Sequence, residues 1–251
     1  VPLDHPMFGG PVPGLEDPAA LVRLIASTEA DGILLSPWTL SRVAPMLGQL
    51  AAVARLDGGN TSLGERVDQT NVVTSVEFAV RCGCEMVAVN IFVGGENESE
   101  MLRKLGYAAE ASALWGMPLM GEMIPSSALA HHYGKAQPEV RHAAEDDPIT
   151  VASRIGAEFG ADVIKTVYSG NKDDLARTVR TATVPVIIAG GPKAGTDAEF
   201  LALVRECVDA GAAGVCMGRN VWQRTRAEGM IAALCAIVHD NAPVDDAMRL
   251  L

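Results

Sequence analysis

The sequence predicts an α/β protein: short parallel strands alternating with helices in one closed (β/α)8 TIM-type barrel, a single domain over residues 1–251. Three observations carry that expectation. Short apolar runs rich in Val, Ile, Leu and Met alternate with longer amphipathic stretches, and such runs suit parallel strands covered on both faces. The length of 251 residues matches the size at which one such barrel closes, about 250 residues. No linker or low-complexity tract divides the chain, and 49% of it is hydrophobic, enough for one large core. A doubly wound open sheet is the rival architecture. Its usual G-x-G-x-x-G turn is missing: FGGPVPG follows the first run, and its prolines block the regular turn and the helix start.

The predicted strands, in order, are VPL (1–3), GILLS (32–36), AAVARL (51–56), MVAVNI (86–91), PLMGEM (118–123), DVIKT (162–166), VPVIIA (184–189) and GVCMG (214–218). Helical patterns lie between them. DPAALVRLIASTEA (17–30) opens with Asp17 as cap and Pro18 in the first helical position. SVEFAVRCG (75–83) and ESEMLRKLGYAAEASALWG (98–116) each stop at a glycine. DPITVASRIGAEFG (147–160) repeats the Asp-Pro start and glycine stop, and TDAEFLALVRECVDAG (196–211) starts on a Thr-Asp cap. The polar stretch AHHYGKAQPEVRHAAEDD (130–147) reads as a loop after the fifth strand.

The formal charge of −11 disfavours nucleic acid and anionic membrane surfaces as partners. An anionic small-molecule substrate then needs a local positive site. No run is long enough to span a membrane and no signal peptide is visible. The five cysteines lack framework spacing and fit a reducing compartment, so a cytoplasmic location is expected. Cys82 and Cys84 in RCGCE read as small buried residues rather than metal ligands, because no further ligands stand nearby.

Barrel enzymes carry their chemistry at the C-terminal ends of the strands. Those ends offer Asp4, Glu122, Lys165, the AGGPK segment (189–193) and MGRN (217–220). Lys165 sits in an apolar run. A lysine among apolar neighbours has a depressed pKa and a free amine fit to form a Schiff base with a carbonyl. It is equally open that Lys165 pairs with an acid, Asp4 or Glu122. Glycine loops after the seventh and eighth strands suit a phosphate, with Gly190, Gly191 and Gly218 letting backbone N–H groups approach and Lys193 and Arg219 supplying charge. Ordinary tight turns are the plainer reading of the same glycines.

Several segments together resemble the archaeal-type class I aldolase family over nearly the whole chain. They are VPLDHPMFGGPVPGL at the start, WGMPL (115–119), GADVIKTVYSG (160–170), VPVIIAGGPKAGTDAEFL (184–201) and AGAAGVCMGRNVWQ (210–223). The resemblance implies a (β/α)8 barrel whose lysine, matched by Lys165, forms a Schiff base with a ketose phosphate. It implies proton transfer at Asp4 and phosphate binding at Gly190, Gly191, Gly218 and Arg219. It further implies a homo-oligomer that needs no metal and no cofactor. The donor would be dihydroxyacetone phosphate or similar and the acceptor an aldehyde such as aspartate semialdehyde, in aromatic amino acid or aminohydroxybenzoate biosynthesis. Thiolase-type acyl transfer on a phosphorylated dione, and a phosphosugar-binding barrel without turnover, are the alternatives.

Three departures from the family pattern stand out. The family's acid/base tyrosine before a proline is replaced by Ile124, which cannot transfer a proton. Residues two apart on a strand face the same way, so Glu122 is the candidate replacement; a plain ion pair with Lys165 is the other reading. Pro6 stands where the family often has glycine, stiffening the loop beside Asp4. SPWTL (36–40) stands where relatives carry basic residues, and Trp38 either shapes the aldehyde pocket or packs. His131, His132 and Tyr133 are either a further proton source or solvated loop residues.

Overall fold

The computed structural model describes residues 1–66, 68–129, 147–193 and 195–251. The calls on the 130–147 loop, and so on His131, His132 and Tyr133, fall almost wholly outside these residues. The described strands run β1 (Gly32–Leu35), β2 (Ala51–Arg55), β3 (Asp57–Gly58), β4 (Asn71–Val72), β5 (Met86–Val93), β6 (Leu119–Pro125), β7 (Val163–Thr166), β8 (Val186–Ala189) and β9 (Gly214–Cys216). β3 and β4 form a small antiparallel pair. The other strands make one seven-stranded parallel sheet in the order β1-β2-β5-β6-β7-β8-β9. Chain order and sheet order therefore agree, so each crossover in the main sheet moves on in the same direction, as in a barrel and unlike a doubly wound sheet.

The described helices are α1 (Pro6–Gly9), α2 (Pro18–Ala26), α3 (Pro37–Val43), α4 (Val76–Arg81), α5 (Glu98–Trp115), α6 (Pro148–Glu158), α7 (Lys172–Ala182), α8 (Asp197–Asp209), α9 (Arg219–Trp222), α10 (Ala227–His239) and α11 (Val244–Met248). The local signals read from sequence hold where they were expected. The Asp17 carboxylate accepts from the Ala20 amide at 2.9 Å, and that of Asp147 from the Thr150 amide at 3.1 Å. Thr196 and Glu199 form a reciprocal capping box. Gly116 closes α5 in the left-handed region at φ 62°. α1, α3, α7, α9, α10 and α11 were not anticipated. α7 is mostly polar, and Asn171 starts it by accepting from the amides of Asp173 and Asp174 at 2.9 and 3.3 Å.

The first predicted strand is reduced. Residues 1–3 contribute one parallel bridge, Pro2 to Leu34, with the Leu3 amide donating to the Leu34 carbonyl at 2.8 Å. Pro2 has no N–H to give, which limits the ladder it can build. The sheet is curled. Leu34, Ala88 and Met120 cluster with Val53, Val163 and Ile187, so strands from β1 to β8 share one interior layer. One cavity at the C-terminal ends of the strands is lined both by Pro2 and Asp4 and by Cys216 and Gly218. The opposite faces carry the outer core against the helices, which extends from Leu3 to Ala247.

Close approach between β1 and β2 depends on Gly32. A Cβ there would lie 2.6 Å from the Ala51 carbonyl oxygen, a backbone atom that cannot rotate away. Overpacking of this kind costs roughly 1–3 kcal/mol. At about 2–4 °C per kcal/mol for a domain of this size, Gly32→Ala is expected to lower Tm by several degrees, read by thermal unfolding followed by circular dichroism.

Candidate active site

The cavity at the strand ends has a volume of about 270 Å³. Register decides what enters it. Asn90, Glu122 and Lys165 are direct neighbours across β5, β6 and β7, so all three project to the same side. Alternation sends Ile164 outward into the main core, and directs the Thr166 hydroxyl to the Met123 carbonyl at 2.8 Å. Arg55, the last residue of β2, reaches into the same layer and is 1% exposed.

Charge fills this layer. The Lys165 ammonium lies 2.9 Å from Glu122 Oε1. The other Glu122 oxygen accepts from Arg55 Nη2. Arg55 Nε donates to Asp4 Oδ2 at 2.9 Å, and its Nη1 donates to Asn90 Oδ1 at 3.1 Å. Asp57 stands 3.7 Å from Arg55 Nη1, accepts from the Asn90 amide at 3.0 and 3.1 Å, and pairs with the Lys104 ammonium at 2.8 Å. Lys104 comes from α5 and also donates to the Thr70 hydroxyl at 2.5 Å. Three carboxylates (Asp4, Asp57, Glu122) thus face three cations (Arg55, Lys104, Lys165), and all six side chains are buried.

Of the two readings left open for Lys165, this arrangement favours pairing with an acid over a free amine of depressed pKa. Burial is the largest single influence on it and does act to lower its pKa. The electrostatic influence of Cys216, Glu122 and Asp4 acts the other way, against a smaller push from Arg55, and the net direction is upward. Lys165 is paired with Glu122 at 2.9 Å, and the direction of its shift favours the charged form. Arg55 is also buried, yet Glu122, Asp4 and Asp57 hold its pKa well above the usual arginine value. Burial lowers Lys104 despite Asp57, and lowers His5 despite Asp4.

The expected site residues separate into two groups. Asp4, Glu122, Lys165, Gly190, Gly191, Gly218 and Arg219 all line the one cavity. Lys193 is not brought to it; its ammonium donates to the Gln223 carbonyl at 2.9 Å. Two of the glycines have a packing reason to be there. A Cβ on Gly190 would meet that of Met217 at 2.9 Å, and one on Gly218 would meet the Pro2 carbonyl oxygen at 2.7 Å. Gly191 is different: its φ is +61° and the space beside it is open. Asn220 ties the two glycine loops together, donating to the carbonyls of Gly190 and Pro192 at 2.9 and 3.0 Å.

Other readings are relocated. Trp38 is 60% exposed, stacks on Phe78 and does not line the cavity. Ile124 is fully buried in the main core. Pro6 opens α1. Cys82 and Cys84 are free thiols. Sequence reasoning missed Arg55, Asn90, Asp57 and Lys104. The signal for Arg55 was present: AAVARL puts a charge at the end of an apolar run, as DVIKT does. Asn60, Thr61 and Ser62, on the loop after β3, also line the cavity and were not singled out.

A curled parallel sheet with a lysine–carboxylate pair buried at the strand ends defines a site of the class I aldolase type. Comparison with known proteins agrees. The sequence pattern of the DeoC/LacD family aldolases matches residues 1–224. A 2-amino-3,7-dideoxy-D-threo-hept-6-ulosonate synthase of Halobacterium salinarum is 36% identical over 248 residues, 99% of this chain and 89% of the relative. A 2-amino-4,5-dihydroxy-6-oxo-7-(phosphonooxy)heptanoate synthase of Streptomyces griseus is 30% identical over 241 residues, covering 96% and 84%. An archaeal fructose 1,6-bisphosphate aldolase structure superposes with a TM-score of 0.83 at 29% identity, covering 96% and 92% of the two chains. Another such structure, TM-score 0.82 and 29% identical over 95% and 92% of the two chains, has its catalytic lysine bound to the carbinolamine intermediate of the substrate. The chain belongs to the DeoC/LacD aldolase family, as an aldolase-type enzyme of the lysine Schiff-base class. Among the described residues no helix is long and apolar enough to cross a membrane.

The raised pKa of Lys165 has a measurable consequence. Below its pKa the neutral amine fraction grows about tenfold per pH unit. Acetylation of Lys165, followed by peptide mass spectrometry between pH 7 and 9, is expected to climb at that rate. Glu122→Gln removes the nearest carboxylate and is expected to raise labelling at pH 8 several-fold. Labelling of the wild type that is already flat across this range would mean a free amine.

Proposed function

We propose that the protein is a Schiff-base-forming synthase. It joins a ketose-phosphate donor, dihydroxyacetone phosphate or similar, to an aldehyde such as aspartate semialdehyde. The observation that carries this reading is the Lys165–Glu122 pair at 2.9 Å, in a cavity whose far wall is formed by Gly190, Gly191, Gly218 and Arg219. The names of the halobacterial and streptomycete relatives, both seven-carbon amino keto acid synthases, support the same class of product.

The chemistry follows from charge. Lys165 passes one proton to Glu122, and its nitrogen lone pair attacks the donor ketone carbon. The π pair moves to the carbonyl oxygen, which takes a second proton from the now cationic nitrogen, and the carbinolamine forms. The proton held by Glu122 then goes to the hydroxyl, which leaves as water. Overall, ammonium plus ketone gives iminium plus water, and the single positive charge beside Glu122 is conserved. The iminium draws electrons from the adjacent carbon, which passes a proton to the Glu122 carboxylate and becomes an enamine. The enamine attacks the aldehyde, whose oxygen takes that proton back as the new C–C bond forms, and water then hydrolyses the iminium, releasing the product and restoring the Lys165 ammonium. In this reading Asp4 serves proton transfer at the substrate hydroxyls. Gly191, Gly218 and Arg219 hold the phosphate, which fixes the ketone carbon near Lys165.

We read the sheet in the same way as a closed barrel, with residues 1–3 in the eighth strand position. The Pro2–Leu34 bridge supports it on one side, and the Trp222 indole N–H donating to the Pro2 carbonyl at 3.1 Å supports it on the other.

Borohydride reduction in the presence of dihydroxyacetone phosphate is expected to leave a stable adduct on the wild type and none on Lys165→Ala, read by intact mass. An adduct that persists on Lys165→Ala would put the chemistry elsewhere. A charge-assisted contact contributes about 1.5–3 kcal/mol. Arg219→Ala is therefore expected to raise KM for the phosphorylated donor about 10- to 100-fold with a smaller change in kcat. An unchanged KM would remove Arg219 from the phosphate site.

A further inference from the structure

Asp4 and Glu122 lie far apart in the chain, and both end on neighbouring donors of one guanidinium, Nε and Nη2 of Arg55. The third donor, Nη1, is taken by Asn90 Oδ1. Two carboxylates brought together and shielded from water cannot both stay ionised without a cation between them; otherwise one takes a proton. An arginine is the residue for this task, because it does not deprotonate in a protein and its fork fixes two acceptors at once. We infer that Arg55 is a positioning residue that keeps Asp4 and Glu122 charged side by side, so that Glu122 stays available as the acceptor of the Lys165 proton. This rests on the role given to Glu122 in the reading above.

The geometry gives Arg55 little freedom. Asp57 lies 3.7 Å from Nη1, and Lys104 holds Asp57 from behind at 2.8 Å. The remaining titratable or charged groups around the pair are His5 beside Asp4, Lys165 on β7, Cys216 on β9 and Arg219 on α9. The high pKa that burial fails to lower in Arg55 has the same source, the two carboxylates and Asp57. The device also suits a chain with isoleucine at position 124. A tyrosine hydroxyl is neutral at physiological pH and needs no counter-charge, whereas a carboxylate used as a base must be kept ionised.

The test reads carboxyl protonation directly, without substrate. Infrared difference spectra between pH 8 and pH 6 are compared for the wild type, Arg55→Lys, Arg55→Gln and Arg55→Met. The two uncharged variants are expected to gain the carbonyl stretch of a protonated carboxyl over this range. The wild type and Arg55→Lys are expected to lack it, and adding Glu122→Gln or Asp4→Asn to Arg55→Met is expected to abolish it. Folded Arg55→Gln or Arg55→Met without this band overturns the inference. If neither folds alone, Arg55→Met combined with Asp4→Asn decides: recovery of the fold supports the like-charge account, and no recovery overturns it.

A second readout separates this inference from the one beneath it. The acid limb of borohydride trapping with dihydroxyacetone phosphate is expected to move up by about one pH unit or more in Arg55→Gln and to return in Arg55→Lys. An acid limb that stays in place in folded Arg55→Gln overturns the inference. Trapping that is unchanged in Glu122→Gln removes Glu122 as the proton acceptor and overturns the earlier reading, whatever the infrared spectra show.

Discussion

Taking a single charge out of water costs several kcal/mol unless a partner is waiting for it. The layer at the ends of β2, β5, β6 and β7 buries Arg55, Glu122 and Lys165, with Asp4, Asp57 and Lys104 around them. None of these groups is tenable alone. Together they are neutral, and each carboxylate meets at least one cation within 2.9 Å. The position of Lys165, the only one of these groups placed to bond covalently to a ketone in the proposed reaction, therefore depends on Arg55 and on everything that fixes Arg55. That dependence reaches outward through Asp57 to Lys104 on α5 and so into the helical layer.

The sheet makes the layer possible. In parallel strands the side-chain period is two, and the pairing register sets which residues share a level. Asn90, Glu122 and Lys165 fall in register across three strands, so one level of the interior is polar while the level below is apolar, with Ala88, Met120 and Val163. A slip of one residue in β6 would turn Glu122 into the helix-facing core and leave Lys165 unpaired. The glycine loops after β8 and β9 have their own constraint. Asn220, fully buried, bonds back to the Gly190 and Pro192 carbonyls of the first loop and so ties the two loops together. Gly190 and Gly218 are required by Met217 and Pro2, which means that packing alone explains two of these glycines. Gly191, with its positive φ and open side, is the one that packing does not explain.

In the proposed reaction, isoleucine at position 124 leaves the proton work to a carboxylate. A buried tyrosine needs only a hydrogen-bond partner. A buried glutamate used as a base needs a permanent positive charge that cannot itself give up a proton to it. Arg55 meets that requirement and lysine would meet it less well, because a buried lysine exchanges its proton readily. The conserved positive charge from ammonium to iminium fits the same surroundings: a pocket that stabilises one stabilises the other.

Much of the fold was legible in the sequence. The alternation of short apolar runs with capped helices placed the strands of the sheet, and the Asp-Pro starts and glycine stops marked helix ends, because these signals are local and physical. Lys165 and Glu122 were found as candidates because a charge in an apolar run is costly and so stands out. The protonation state of Lys165 was not legible. It depends on whether Glu122, Cys216 and Asp4 outweigh burial, and that is a matter of distances between residues far apart in the chain. Arg55 carried the same local signal as Lys165, yet its role follows from partners 51 and 67 positions away. Lys193 looked equivalent to Arg219 in sequence, and only tertiary structure turned it toward Gln223. The sequence by itself determined where the seven strands of the main sheet lie and which charges must be reconciled inside. Only the curl and register of the sheet decided which charge meets which, because electrostatic energy falls off with separation in space and takes no account of separation along the chain.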